Sequence, residues 1–442
     1  MRKSNGFWVL AAGALTYLVA VTNRSSMGVA SLEATTRFEV AATALSTLAV
    51  AQLIVYAAMQ VPVGILLDRF GAKALLVFGS ISMGIGQALV SLAQTLPLAV
   101  VGRMCVGLGD AFVFISVIRL VNGWYEGPKA TRIQQLTTNI GQLGQAVSAI
   151  PFAFMLRDFG WNSSFMLLAA TSLAMVFLVL VFIVNDRPSH HIVAERQTMR
   201  MVLSQLVENV KHAGVRMAFW THFTLQSAPS VFLLLWGYPF LVQGQGFSPA
   251  ISSWLISGFV IVGFLVGPFI SWFCARYPRR RSFLVLSTIF ALSVSWALVI
   301  AMPGKSPLWL IIVLCFVLAT SGPMSMIAFD YTRNFAPKSR LGSASGFVNI
   351  GGFTATFSMM FLAGVILDVV RAASAAQGKV AELYSLEGFK WAMSVEFLVL
   401  GLGTVMFLVE RRRARAKLFI DEGIILRPLR VVIAERISRK TR

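Results

Sequence analysis

Apolar runs broken by short polar turns recur from Phe7 to Val409. A bilayer core is crossed by a helix of about 20 mostly apolar residues. The runs divide into twelve such segments, at 7–28, 44–67, 74–95, 98–121, 133–156, 163–185, 217–242, 250–275, 282–302, 307–330, 341–369 and 389–410. One longer polar stretch, between about Asn185 and Met217, splits them six and six. The pattern predicts an all-α membrane protein of 12 transmembrane helices in two pseudo-symmetric six-helix bundles. Residues 1–185 form the first bundle, 186–216 a linker, 217–410 the second bundle and 411–442 a tail. The first run lacks a small-residue cleavage site and the second follows it closely, so it reads as a retained helix rather than a signal peptide. In the linker, Met199, Val202, Leu203, Leu206, Val207 and Val210 recur at helical spacing while Arg200, Glu208 and Lys211 take other faces. That spacing predicts an amphipathic helix at the membrane surface.

Composition agrees with this reading, since a chain 57% hydrophobic and only 13% charged cannot clothe a soluble surface. The net charge of +20 would suit a nucleic-acid binder, but its distribution points elsewhere. With the N-terminus in the cytoplasm, 29 of the 38 Lys and Arg fall on the cytoplasmic side, six fall outside, and Arg24, Arg103 and Arg119 lie within spans. Cytoplasmic loops are enriched in such cations. Both termini are therefore expected inside a cell membrane, bacterial inner or plasma, and no nucleic-acid partner is called for. The tail, opening with Arg411-Arg412-Arg413, reads as a polybasic segment drawn to anionic lipid. Cys105, Cys274 and Cys315 lie in apolar runs without CxxC spacing, so neither a disulfide framework nor a metal site is expected.

The two halves share a register. Pro97-Leu98 and Pro307-Leu308, Cys105 and Cys315, Asn139-Ile140-Gly141 and Asn349-Ile350-Gly351, and Asp158 and Asp368 are each separated by 210 positions. Repeats of this kind are common in transporters.

Where the second span leaves the membrane the chain reads Gly64-Ile65-Leu66-Leu67-Asp68-Arg69-Phe70-Gly71-Ala72-Lys73. This resembles the loop 2–3 signature of the major facilitator superfamily, G-x-L-x-D-R-x-G-x-K/R, at every consensus position. The resemblance implies a conformational latch, with Gly64 allowing close helix approach and Gly71 a tight turn. Asp68 would accept from the backbone N–H groups that open the eleventh span near Gly342, Ser343 and Ala344, with Arg119 a second partner. The plain alternative is a solvated turn. In the second half, Gly267 to Arg276 keeps the cations but has Ser271 where the acid stood, so the latch would be asymmetric.

On the fourth span, Arg103-x-x-x-Gly107-x-Gly109-Asp110 is similar to the family's R-x-x-x-G-x-G pattern, whose Arg is associated with proton coupling. A charge within a span costs about 2.5–3.5 kcal/mol on insertion scales and marks a functional candidate. Arg103 and Asp110 share a helix face; together they are candidates for carrying the coupling proton, unless Arg103 snorkels and Asp110 only neutralises another cation. Arg24, with Tyr17 seven residues earlier, sits where the organic-anion branches carry a substrate-binding Arg. A guanidinium fork suits a carboxylate or phosphate. The alternative is an anchor to lipid phosphate near the span's outer end. Polar stripes at His222, Gln226 and Ser230, at Thr138, Gln142 and Gln145, and Asn349 face a cavity or a neighbouring helix. Gln142, His222, Gln226 and Asn349 complete the candidate substrate site with Arg24 and Tyr17. Asp330 and Glu396 are left without a role.

The expected function is secondary active transport of a small solute by alternating access, proton-coupled and directed to an organic anion, by a monomer in contact with membrane lipids and without a cofactor. Two other readings stay open: an antiporter exporting drugs or lipids, which the missing Gly-Pro ending of the fifth span disfavours, and a transporter-like receptor without flux. No enzyme motif is present.

Overall fold

The computed structural model describes residues 6–125, 127–184, 199–277, 280–337, 340–378 and 382–422, and among these every regular element is a helix. The helices are α1 (Gly6–Phe38), α2 (42–70), α3 (72–92), α4 (Leu96–Trp124), α5 (127–159), α6 (161–182), α7 (Met199–Lys211), α8 (Ala213–Gly244), α9 (Pro249–Arg276), α10 (Arg281–Ala301), α11 (Leu308–Phe335), α12 (Leu341–Ala376) and α13 (386–422). Among the described residues eleven helical stretches are long and apolar enough to cross a membrane, and Gly160 divides one of them, Arg132–Phe182, in two, which gives twelve spans. Two boundaries are made by a single glycine. Gly71 (φ 77°, ψ 165°) separates α2 from α3, and Gly160 (φ 75°, ψ 179°) separates α5 from α6. Both take the left-handed region that a residue with a Cβ avoids, so the chain reverses without a loop.

The lipid-facing surface is apolar, with Phe177, Leu265, Phe290 and Leu398 pointing outward. Trp254, Trp309 and Trp391 ring one end at the level where indoles favour the membrane boundary. That end is called the distal face. The opposite end, bearing the start of α1 and the α2–α3 turn, is called the basic face.

The first helix is longer than hydropathy predicted. The polar residues after Asn23 do not end it, because Ser25, Ser26, Ser31 and Thr35 donate their hydroxyls to carbonyls three or four residues back. The expectation that Arg24 lies near a span end is thereby corrected: it sits mid-helix.

At the distal face the two bundles are pressed together. Gly28 of α1 packs on the Leu233 carbonyl of α8, inside a π-turn over Phe232–Trp236. Gly364 of α12 is so close to α2 that an added Cβ would stand 2.9 Å from the Ala42 carbonyl oxygen. Asp368, at the distal end of α12, accepts from the backbone N–H groups of Ala42 (2.9 Å) and Thr43 (2.8 Å), the first residues of α2. Thr35 and Tyr384 share a 2.6 Å hydrogen bond across the same seam. At the basic face, by contrast, no atom lies within 4 Å of where a Cβ would stand on Gly64 or Gly342. Among the described residues, the inter-bundle backbone contacts gather at the distal face.

Candidate functional site

Three ionisable side chains meet on α1 and α4 in the middle of the first bundle. Arg24 donates through Nε and Nη2 to the two carboxylate oxygens of Asp110, at 2.6 and 2.8 Å. The fork is bidentate, the strongest arrangement for this pair. Asp110 is buried and the Arg24 side chain only 16% exposed. The expected neighbour of Asp110 on its own helix, Arg103, goes elsewhere. Its guanidinium donates to the Asn23 carbonyl (3.2 Å), the Ser26 hydroxyl (3.3 Å) and the Arg24 carbonyl (3.1 Å). Arg103 thus pins the α1 backbone at the residue that carries the site, and its Nε is buried without an acceptor. Asn23 is fixed in turn, donating to Ser172 (2.9 Å) and accepting from Gln87 (2.8 Å).

Aromatic and amide groups surround the pair. Tyr56 of α2 places its ring 4.9 Å from the Arg24 guanidinium carbon, within cation–π range. The same ring lies 4.7 Å from Phe353 of α12, in the other bundle. One turn on, Gln60 accepts a 2.8 Å hydrogen bond from Asn349 of α12. Tyr17 is buried with its ring on Phe114 at 5.2 Å, and its hydroxyl accepts from Gln142 at 3.1 Å. Gln145 donates to Gln142 in the same chain of amides. Tyr17 and Gln142 therefore meet inside the first bundle, while Asn349 reaches Gln60, one turn from Tyr56, from the second.

The other substrate candidates lie within the second bundle, where His222 interacts with the Asn349 side chain. His222 is buried against Phe329 of α11 at 5.1 Å and near Gly352 of α12, with Nδ1 3.4 Å from the Ser325 carbonyl. Gln226 donates to Ser230 (2.9 Å) and accepts from Ser325 (2.8 Å). This polar stripe on α8 is satisfied by α11. Of the latch residues, Arg69 is exposed and lies over Phe70, Lys73 donates to the Leu180 carbonyl at the end of α6 (2.8 Å), and Arg119 is half-buried on α4. The Asp68 side chain lies outside the described residues. The start of α12, expected to seat it, bears α7, with Asn209 donating to Ser343 (3.0 Å) and Ser343 to Gln205 (3.2 Å). Ser271 stands where the second-half acid is missing. Asp330, unassigned from sequence, pairs with Arg281 (3.8 Å) and with Arg333.

Sequence reasoning missed Tyr56, Gln60 and Asn23. Tyr56 and Gln60 are four apart on one face of the second span, a signal as readable as the stripes that were noticed.

Two six-helix bundles sealed together at one face, with a buried ionic site inside the first of them, define a multi-pass membrane transporter. The chain belongs to the Major Facilitator Superfamily, which it matches over residues 13–248 and 227–437. It is 27% identical over 183 residues to a probable sulfoacetate transporter of Cupriavidus necator, covering 41% of this chain and 42% of that one, so the match spans less than half of that relative. It is 22% identical over 382 residues to the hexuronate transporter of Bacillus subtilis, covering 81% of this chain and 86% of the other. Among solved structures it is similar to a bacterial homolog of the human lysosomal transporter Spinster in an inward-facing, unoccupied conformation. There the TM-score is 0.71 at 13% identity over 92% of this chain and 97% of that one, a likeness of fold.

Proposed function

We propose that the chain carries a small organic anion across a cell membrane by alternating access, with proton coupling through Asp110. The observation that carries this reading is the charge balance of the site. Two guanidiniums, Arg24 and Arg103, are buried with one carboxylate, Asp110, in the middle of the span. Burying an uncompensated charge is expensive, so when Asp110 is neutralised a carboxylate or sulfonate beside Tyr56 and Phe353 takes its place as the counter-charge of Arg24. The relatives named for sulfoacetate and hexuronate handle anions of this class.

Arg24 cannot offer its fork to a substrate while Asp110 holds both donors. Protonating Asp110 removes the competing charge and frees the fork; expelling the proton restores the pair and releases the anion. Proton and anion thus bind together. Arg103 takes no part in the exchange and keeps α1 in place. The basic face is read as cytoplasmic, from the Lys and Arg distribution, and the seal at the distal face supports an inward-facing state of a monomer with bundles 1–185 and 217–410 and α7 between them.

Proteoliposome transport of hexuronate and sulfoacetate tests this. Asp110→Asn is expected to lose uphill accumulation under a proton gradient and to retain counterflow. Arg24→Gln is expected to lose affinity for both anions. Uphill accumulation in Asp110→Asn removes Asp110 as the carrier, and unchanged affinity in Arg24→Gln removes the anion site. Binding without exchange in the native chain would turn the reading toward a receptor.

A further inference from the structure

The basic-face end of the second bundle gathers cations that the transport site does not use. Arg281 begins α10, and Arg411 and Arg415 lie one turn apart on α13. Arg281 and Arg411 both act electrostatically on Tyr331 of α11, and Arg415 acts on Tyr331 and Arg411. The Tyr331 and Ser282 hydroxyls are 3.1 Å apart between them. Among the described residues, acids do not balance this cluster. Asp330 is shared between Arg281, at 3.8 Å, and Arg333, while Glu410 is taken by Arg216 and Arg413, each at 2.8 Å. Nε and Nη1 of Arg281 and Nε of Arg411 are buried with no acceptor.

We propose that Arg281, Arg411 and Arg415, with the Tyr331 and Ser282 hydroxyls, form a binding site for a phosphate group, and that its occupant is the headgroup of an anionic phospholipid. Guanidiniums and hydroxyls are the donors that phosphate oxygens accept from, and the start of α10 adds the positive end of a helix. A buried guanidinium nitrogen without a partner costs stability, and a phosphate oxygen removes that cost. The lipid source follows from position. Trp272 and Tyr277 stand edge to face at 6.4 Å at the end of α9, with Trp272 exposed, so aromatic side chains at headgroup level flank the cluster. Basic pockets between helices on the cytoplasmic side suit such headgroups. The site is separate from Arg24 and Asp110, and its occupancy reads out as stability of the basic-face end of the second bundle.

The test uses the purified full chain in a neutral detergent, with thermal unfolding followed as short-chain phosphatidylglycerol, short-chain phosphatidylcholine or inorganic phosphate is added. Phosphatidylglycerol is expected to raise the midpoint and phosphatidylcholine to leave it unmoved. In the Arg281→Gln, Arg411→Gln double variant most of that rise should vanish. The charge-matched control Arg412→Gln, Lys417→Gln, at exposed positions, should keep it. Equal protection of the two double variants overturns the site. Protection by inorganic phosphate equal to that by phosphatidylglycerol overturns the lipid occupant. Should the double variant not fold, Arg411→Gln alone carries the same expectation, with a partial loss of the rise that Arg411→Lys restores.

Discussion

The distal seal offers the sharpest test of the proposed cycle. Asp368 of α12 accepts from the N–H groups of Ala42 and Thr43 at the start of α2, an interaction that exists only while the bundles meet at that face. Removing a side-chain acceptor from a helix start costs roughly 0.5–2 kcal/mol, and losing a negative charge at the positive helix end costs about 0.3–1 kcal/mol more. Asp368 is half-buried, so water competes for the two amides and the lower part of each range applies. Asp368→Ala should then shift the balance toward the distal-open state by about 1–2 kcal/mol, a factor of roughly 5–30 in the population ratio. Asp368→Asn keeps one acceptor oxygen and should shift it less. Spin labels on the exposed residues Thr36 and Gln377, one on each bundle, report the change as a longer-distance component in pulsed electron resonance. The reasoning fails if Asp368→Ala leaves the distance distribution of the native chain in place, or if Asn and Ala shift it equally.

Gly28→Leu puts a branched side chain against the Leu233 carbonyl, so the distal face should no longer close and counterflow should fall by an order of magnitude or more; native counterflow would show that α1 and α8 need not meet there. Arg103→Lys gives up the fork that holds the Asn23, Ser26 and Arg24 oxygens, and thermal unfolding should register a loss of about 1–3 kcal/mol. Unchanged stability would remove its positioning role. Glu396 is buried with both carboxyl oxygens lacking a hydrogen-bond partner, so Glu396→Gln breaks no contact and should leave the unfolding midpoint within a degree or two. A large drop would mean that a charged Glu396 has a partner.

Most of the architecture was legible because hydropathy and short turns are local properties. Twelve spans followed from run length, and the Gly71 turn followed from the motif around it. The length of α1 was hidden, since Ser25, Ser26, Ser31 and Thr35 look like a span's polar end and reveal their hydroxyl-to-carbonyl bonds only in three dimensions. Mistaking that end placed Arg24 at the membrane boundary. The site itself was half legible. Arg24 and Asp110 stand out as charges within apolar runs, but which cation Asp110 takes depends on the rotation of α4 against α1. Spacing along α4 favoured Arg103, whereas packing directs Arg103 to backbone carbonyls of the neighbouring helix and leaves Asp110 facing Arg24. Tyr56 and Gln60 were hidden for a simpler reason: neutral polar residues on an apolar helix draw notice only when they are looked for as a stripe.

The seal at the distal face also bears on the motif at the basic one. Asp368 sits at the end of α12 and caps the start of α2. Asp68 sits at the end of α2, where the family resemblance assigns it the start of α12. The two acids would thus perform the same operation on one pair of helices, with the helices exchanging roles between faces. Each helix is a rigid rod, α2 roughly 44 Å and α12 roughly 54 Å long at about 1.5 Å per residue. Rocking one about its middle closes one end as it opens the other, so the two caps compete. The partner position at offset 210 does not share this role, because Asp158 is held by its neighbour Arg157 at 2.7 Å and is exposed. Of the two pseudo-symmetric helix pairs, only α2 with α12 therefore carries an acid at both ends. In the proposed cycle that pair sets the energy difference between the two closed states, and α5 with α9 follows by packing alone. Asp158→Ala should accordingly leave the spin-label distances unchanged where Asp368→Ala alters them; an equal effect of the two would show that both seams gate the molecule.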